Sequence, residues 1–193
     1  IFFSDRYTRE YHLKAFRQIA EALNGYTEKC VISFADIYPK NKKNMEKLSS
    51  YRLNDCGLKE FVKELSRIAT DNHIRLGSCA EKIDLDECGI AHNSCIDRAL
   101  IEEMIGCKLN VVKDKSQRLE CGCVESIDIG TYDTCKNGCV YCYANSSLKS
   151  VETNTAQYNP FSPLLCGAVG KEDKITDRKV TSLKKRQLSI FDM

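Results

Sequence analysis

The sequence predicts an α/β protein, either a partial (β/α) barrel or an open parallel sheet, followed by a cysteine-rich, loop-rich C-terminal region. Two apolar runs, residues 30–35 and 74–78, have the near-continuous character of strands in a parallel sheet, and each follows an amphipathic helical segment. Beyond residue 84 the periodicity weakens, while five of the 12 cysteines crowd into residues 121–142. The chain therefore divides into β/α repeats over 1–112, a cluster-binding region over 113–148 and an extended tail over 149–193.

Taken in order, Thr8 is placed to cap a helix that runs to Asn24, with Leu13, Phe16, Ala20 and Leu23 on one face and Gly25 as its stop. The first strand follows over residues 30–35, with Asp36 at its C-terminal end. A lysine-rich connection containing Pro39 leads to a second helix over 57–71, whose inward face is Leu58, Phe61, Val62, Leu65, Ile68 and Ala69. The second strand, 74–78, runs into Cys79-Ala80-Glu81. A right-handed crossover would set Cys79 and Glu81 at the same sheet edge as Asp36, where sites of parallel sheets gather. A short helix over 97–105 starts after Cys95-Ile96-Asp97 and ends at Gly106. Residues 109–112 and 125–129 are candidate strands, and residues 150–182 read as loop because Pro160 and Pro163 block helix and central strand.

With 193 residues and 42% hydrophobic content, the chain can bury a sizeable core without cross-links. A net charge of +2, from 29 basic and 27 acidic residues, points neither to nucleic acid nor to an acidic substrate. No apolar run is long enough to span a bilayer. The opening Ile1-Phe2-Phe3 lacks an initiator Met and a signal-peptide pattern, so the chain reads as a fragment or processed form of a cytoplasmic protein. The cysteine crowding has metal-ligand spacing, which favours reduced thiols over disulfides.

Cys135-x3-Cys139-x2-Cys142 carries the most chemistry. Soft thiolates select iron–sulfur clusters, and three ligands on a [4Fe–4S] cubane leave one iron with an open position. Gly138 lets the loop turn. Zinc is the alternative, with Cys121-x-Cys123 pairing with Cys139-x2-Cys142 and leaving Cys135 over. Cys79, Cys95, Cys121 and Cys123 form a candidate second iron–sulfur or zinc site, although Cys79 and Cys95 also read as small buried hydrophobes. Asp36 and Glu81 are candidates for acid/base work or for holding a substrate hydroxyl or cofactor ribose; capping or ion pairing explains a strand-end carboxylate equally well. Cys30, Cys56, Cys88, Cys107 and Cys166 are assigned to packing or surface positions, and His12, His73 and His92 are isolated.

The cysteine run, with Tyr141 just before its last member, resembles the cluster motif of radical S-adenosylmethionine enzymes. The wider stretch from Gln117 through Cys121-Gly122-Cys123 to Gly130, and on to Cys142-Tyr143-Ala144-Asn145, resembles the bacterial domain-of-unknown-function family 1848. That likeness extends to Ser33-Phe34-Ala35-Asp36, Cys79-Ala80-Glu81 and Cys95-Ile96-Asp97. The resemblance implies a missing N-terminal third, a cluster held by Cys135, Cys139 and Cys142, and Tyr141 approaching the adenine of bound S-adenosylmethionine. It also implies an unidentified substrate and a reductant such as flavodoxin or ferredoxin. Two departures stand against it: the cysteine loop follows the strand–helix units instead of the first strand, and no Gly-Gly-Glu run is present to hold the methionyl amine. The runner-up expectation is a non-enzymatic iron–sulfur or zinc-binding module, associated with nucleic acid. The terminal run Gln187-Leu188-Ser189-Ile190-Phe191 resembles peptides that dock on bacterial sliding clamps.

Overall fold

The computed structural model describes residues 1–39 and 41–185, so the clamp-like run Gln187-Leu188-Ser189-Ile190-Phe191 lies outside the described residues. The chain folds into two compact units. The first comprises residues 1–35, 50–126 and the described part of 182–193; the second comprises residues 36–49 and 127–181.

The first unit is built on a three-stranded parallel sheet in the order β1 (Lys29–Ile32), β2 (Arg75–Cys79), β3 (Ala91–Asn93). Its helices are α1 (Arg9–Leu23), α3 (Asp55–Asp71) and α4 (Arg98–Ile105). Thr8 caps α1 by accepting from the Tyr11 N–H at 3.2 Å, and Asn54 caps α3 by accepting from the Gly57 N–H at 2.8 Å. α3 presents Phe61, Val62, Leu65, Ile68 and Ala69 to the sheet residues Ile32 and Leu76, to Ile74 just before β2, and to Leu85, Cys88 and Ile90 of the β2–β3 connection, and all of these are buried. Phe3 joins this core, with its ring edge-on to Phe61 at 5.2 Å. Truncating the fully buried Phe61 to Ala removes about 3–5 kcal/mol.

The architecture is therefore α/β with a small open parallel sheet, and among the described residues no barrel closes. β1 is not buried on both faces as its apolar run predicts: Ile32 is buried whereas Lys29 and Val31 are exposed, the alternation of a strand covered on one side. Residues 33–35 leave the ladder, and the Ala35 N–H bonds instead to the Ile1 carbonyl at 2.8 Å. The candidate strands over 109–112 and 125–129 form no ladder. Leu109 makes an isolated antiparallel bridge with Lys184, and Lys113 with Val124. β3, three residues long, has no counterpart among the predicted strands.

The second unit carries α2 (Lys42–Glu46) and α5 (Leu148–Ala156). The latter occupies part of the stretch read as loop from residue 150, capped by Ser147, whose hydroxyl accepts from the Ser150 N–H at 3.0 Å. Among the described residues, the buried apolar side chains of this unit are Met45 and Val151. No helix of the described residues is long and apolar enough to cross a membrane.

Candidate metal centres

Four cysteines meet in the first unit. Cys79 ends β2, and Cys95 lies between β3 and Asp97, whose carboxylate caps α4. Cys121 and Cys123 belong to a hairpin-like segment that Val124 fastens to this region, its N–H donating to the Ile96 carbonyl at 3.2 Å. Cys79 Sγ and Cys95 Sγ stand 3.4 Å apart, and the Ile96 N–H donates to Cys123 Sγ at 3.3 Å. Cys121 and Cys123 are buried with Ala80, and Cys79 and Ile96 pack against them. A Cβ on Gly122 would stand 2.5 Å from Ser94 Oγ, so the Cys-Gly-Cys backbone lies directly on the end of β3.

The thiols differ in acidity. Burial, followed by the neighbouring Cys95 thiol, pushes Cys79 up to about 11. Burial also raises Cys121. At Cys123 burial opposes ionisation, but the N–H groups of Ile96 and Cys95 and the thiols of Cys121 and Cys95 direct hydrogens at its sulfur, and its pKa falls below that of an ordinary thiol. Beside them Asn93, in register with Cys79, buries an Oδ1 without a partner among the described residues.

The second unit holds Cys135, Cys139 and Cys142 on one closed loop. Asp133 sits at its base with a left-handed φ of 58°. Its N–H donates to the Ala144 carbonyl at 3.0 Å, and its carboxylate accepts from the Ser146 hydroxyl at 2.7 Å and from the Ser146 N–H. Asn145 reaches across to the Cys135 carbonyl at 2.7 Å, and Asn154 donates to the Asp133 carbonyl at 3.2 Å. Gly138 turns the loop at φ 63°, as its position in the motif predicts. Cys135 and Cys139 are exposed and Cys142 is half-buried. Thr134 and Lys136, flanking Cys135, line a cleft of about 320 Å³ together with Asn154, Thr155, Tyr158 and Leu165.

The remaining candidates have structural partners. The Tyr141 hydroxyl accepts from the Asp36 N–H at 2.9 Å and donates to the Asp36 carbonyl at 2.7 Å, so it anchors the cysteine loop to the residues after β1. The Glu81 carboxylate accepts from the Phe34 N–H at 2.8 Å, a capping task within the first unit. Among the described residues no set of three or more His, Cys, Asp or Glu side chains already stands in ligating geometry. In the first unit the Cys79 and Cys95 sulfurs are in contact, and Cys79 packs against the buried Cys121 and Cys123. Sequence reasoning missed Asp133 and Asn145; the signal available was a turn-forming Asp two residues before Cys135 and an Asn three after Cys142.

The donor set of the loop, three soft thiolates with two of them exposed, fits a cubane with one open iron. A family model described as Domain of unknown function (DUF1848) matches residues 1–144, a span that ends two residues beyond Cys142 and holds both cysteine groups. No curated protein and no solved structure matches the chain.

Proposed function

The chain belongs to this family of domains of unknown function, and we propose that it is an iron–sulfur protein whose Cys135, Cys139 and Cys142 ligate a [4Fe–4S] cluster, with S-adenosylmethionine at the open iron and an unidentified substrate. The observation that carries this reading is the closed loop, which holds three thiols over eight residues in a unit whose buried apolar side chains, among the described residues, are Met45 and Val151. A unit with so little core gains most from a metal cluster as a staple.

When bound, such a cluster supplies an electron for reductive cleavage of S-adenosylmethionine, starting radical chemistry. The chain's own residues bind and orient. Lys136, lining the cleft beside Cys135, offers a cation to the cofactor carboxylate, while Tyr158 offers an aromatic wall; the Thr134 hydroxyl donates to the Thr131 carbonyl at 2.7 Å and shapes the cleft. Tyr141, with its hydroxyl on Asp36, fixes the third cysteine's neighbourhood, and its ring remains about one-third exposed.

Anaerobic reconstitution followed by iron and sulfide analysis tests the cluster. About four irons with matching sulfide are expected, lost in Cys139→Ala and kept in Cys166→Ala; equal loss from both variants overturns the ligand set. Release of 5′-deoxyadenosine from S-adenosylmethionine under a chemical reductant then tests the enzyme. A loaded cluster without that product identifies the non-enzymatic iron–sulfur module instead.

A further inference from the structure

We propose that Cys79, Cys95, Cys121 and Cys123 form a second, separate metal site that holds one zinc ion in a closed tetrahedron of four thiolates. The sulfur spacing points to one tetrahedral ion and not to a cubane. Zn–S bonds of about 2.3 Å in a tetrahedron set ligand sulfurs about 3.8 Å apart, and Cys79 Sγ and Cys95 Sγ stand 3.4 Å apart. Thiolates on different irons of a cubane stand much farther apart, so this pair belongs on one ion. Cys79 and Ile96 pack against the buried Cys121 and Cys123, and the Ile96 N–H, next to Cys95, donates to Cys123 Sγ, which brings the four cysteines to one place. Metal binding exchanges these weak S–H···S contacts for metal–sulfur bonds and releases the thiol protons to solvent.

The surroundings are those of a structural site. Cys121 and Cys123 are each 6% exposed, Cys95 lies at the surface, and four thiolates would fill the coordination shell of a tetrahedral ion. The Ile96 N–H already donates to Cys123 Sγ, the outer-shell contact that metal-bound thiolates commonly receive. The ligands come from three separated segments: the end of β2, the β3–α4 connection and the hairpin-like segment around Val124. Around this cluster the buried apolar contribution is small, with Ala80 the one buried non-cysteine side chain in it. A metal crosslink supplies the fastening that apolar packing does not.

The test uses the full chain, expressed with both iron and zinc available and purified anaerobically, with metals counted by mass spectrometry. One zinc per chain is expected, falling at least five-fold in Cys121→Ser/Cys123→Ser and unchanged in the Cys135→Ala/Cys139→Ala/Cys142→Ala variant. That last variant separates this site from the cluster loop: failure of the iron–sulfur reading leaves its zinc intact. Cobalt substitution gives the intense visible bands of a tetrahedral tetrathiolate ion. Cys95→His, which keeps a zinc donor and guards against simple misfolding, is expected to retain the metal and shift those bands toward a three-sulfur, one-nitrogen pattern. The proposal is overturned if zinc disappears with the loop cysteines, if iron and sulfide persist in the triple loop variant, or if the chain as purified with zinc available carries no zinc and a Cys79–Cys95 disulfide instead.

Discussion

The two cysteine groups solve opposite problems. In the first unit the four thiols come from segments far apart in sequence, and folding of the sheet brings them together: Cys79 at the end of β2 is in register with Asn93, two residues before Cys95. In the second unit three thiols lie on one loop, and local hydrogen bonds from Asp133, Asn145 and Tyr141 shape it. In the first group Cys121 and Cys123 are buried and Cys95 is exposed, with four thiols together; in the second Cys135 and Cys139 are exposed, with three thiols on the loop. Closure suits a structural ion and an open position suits chemistry, so the two proposed sites would not compete for ligands.

The largest effect separating the groups is metal removal. Stripping the four-thiol site with a thiol-directed mercurial and a chelator is expected to destabilise the first unit by several kcal/mol, less than the ~10–16 kcal/mol of zinc-finger peptides because α3 and the sheet retain their own core. Thermal unfolding followed by circular dichroism reads it as a lowered Tm restored by zinc. An unchanged Tm would make the gathered thiols a packing feature. Stripping iron from the loop is expected to leave the unfolding of the first unit unmoved.

Next in size is Asp133→Ala. It removes acceptors from the Ser146 hydroxyl and N–H and places Ala at a left-handed φ, a local cost of about 2–3 kcal/mol. Iron retained at limiting iron supply should fall several-fold while zinc stays constant. Equal loss of both metals would mean that the loop and the four-thiol site do not form independently.

The sequence carried the parts of this picture that are local. Thr8, Asp97 and Gly106 punctuate α1 and α4 because a cap is a contact over two or three residues, readable without the fold. The three-cysteine motif is legible for the same reason. β3 escaped because three residues, Ala91-His92-Asn93, carry no period, and their strand state comes from pairing with β2. α5 overlaps the 150–182 loop expectation because Pro160 and Pro163 exclude regular structure only beyond Ala156, while Ser147 is a local start signal. β1 has an apolar run, but covering one face of a small sheet exposes Val31 regardless of its hydropathy. The four-thiol group was visible only as cysteines of the right type; bringing them together is a tertiary event.

A pH titration sharpens the comparison further. Glu102 accepts from the Leu109 N–H at 2.9 Å, Lys108 at 2.8 Å and Arg98 at 2.8 Å, and these partners hold its carboxyl at about 2. Its folded pKa is depressed below an unfolded value of about 4.3. The contribution is therefore present above about pH 4.3 and is lost as pH falls toward 2. Glu102→Gln should lower stability at neutral pH and flatten the acid dependence in that window. An acid profile identical to wild type would remove Glu102 from the bonds that tie α4 to residues 108–109.

The smallest expected effects come from one glycine in each group, and they differ in kind. At Gly138 the φ of 63° is one that L side chains resist, and nothing lies within 4 Å of an added Cβ. Gly138→Ala therefore costs about 1–2 kcal/mol of backbone strain in the loop, and no second substitution can relieve it. At Gly122 the obstacle is a neighbour: the added Cβ meets Ser94 Oγ at 2.5 Å. Gly122→Ala should weaken zinc retention a few-fold, and adding Ser94→Ala should restore it because the clashing hydroxyl is gone. Rescue at Gly138 by any neighbour, or failure of Ser94→Ala to rescue Gly122→Ala, would mean that the loop is held by packing and the four-thiol site by backbone conformation, the reverse of the arrangement argued from their contacts.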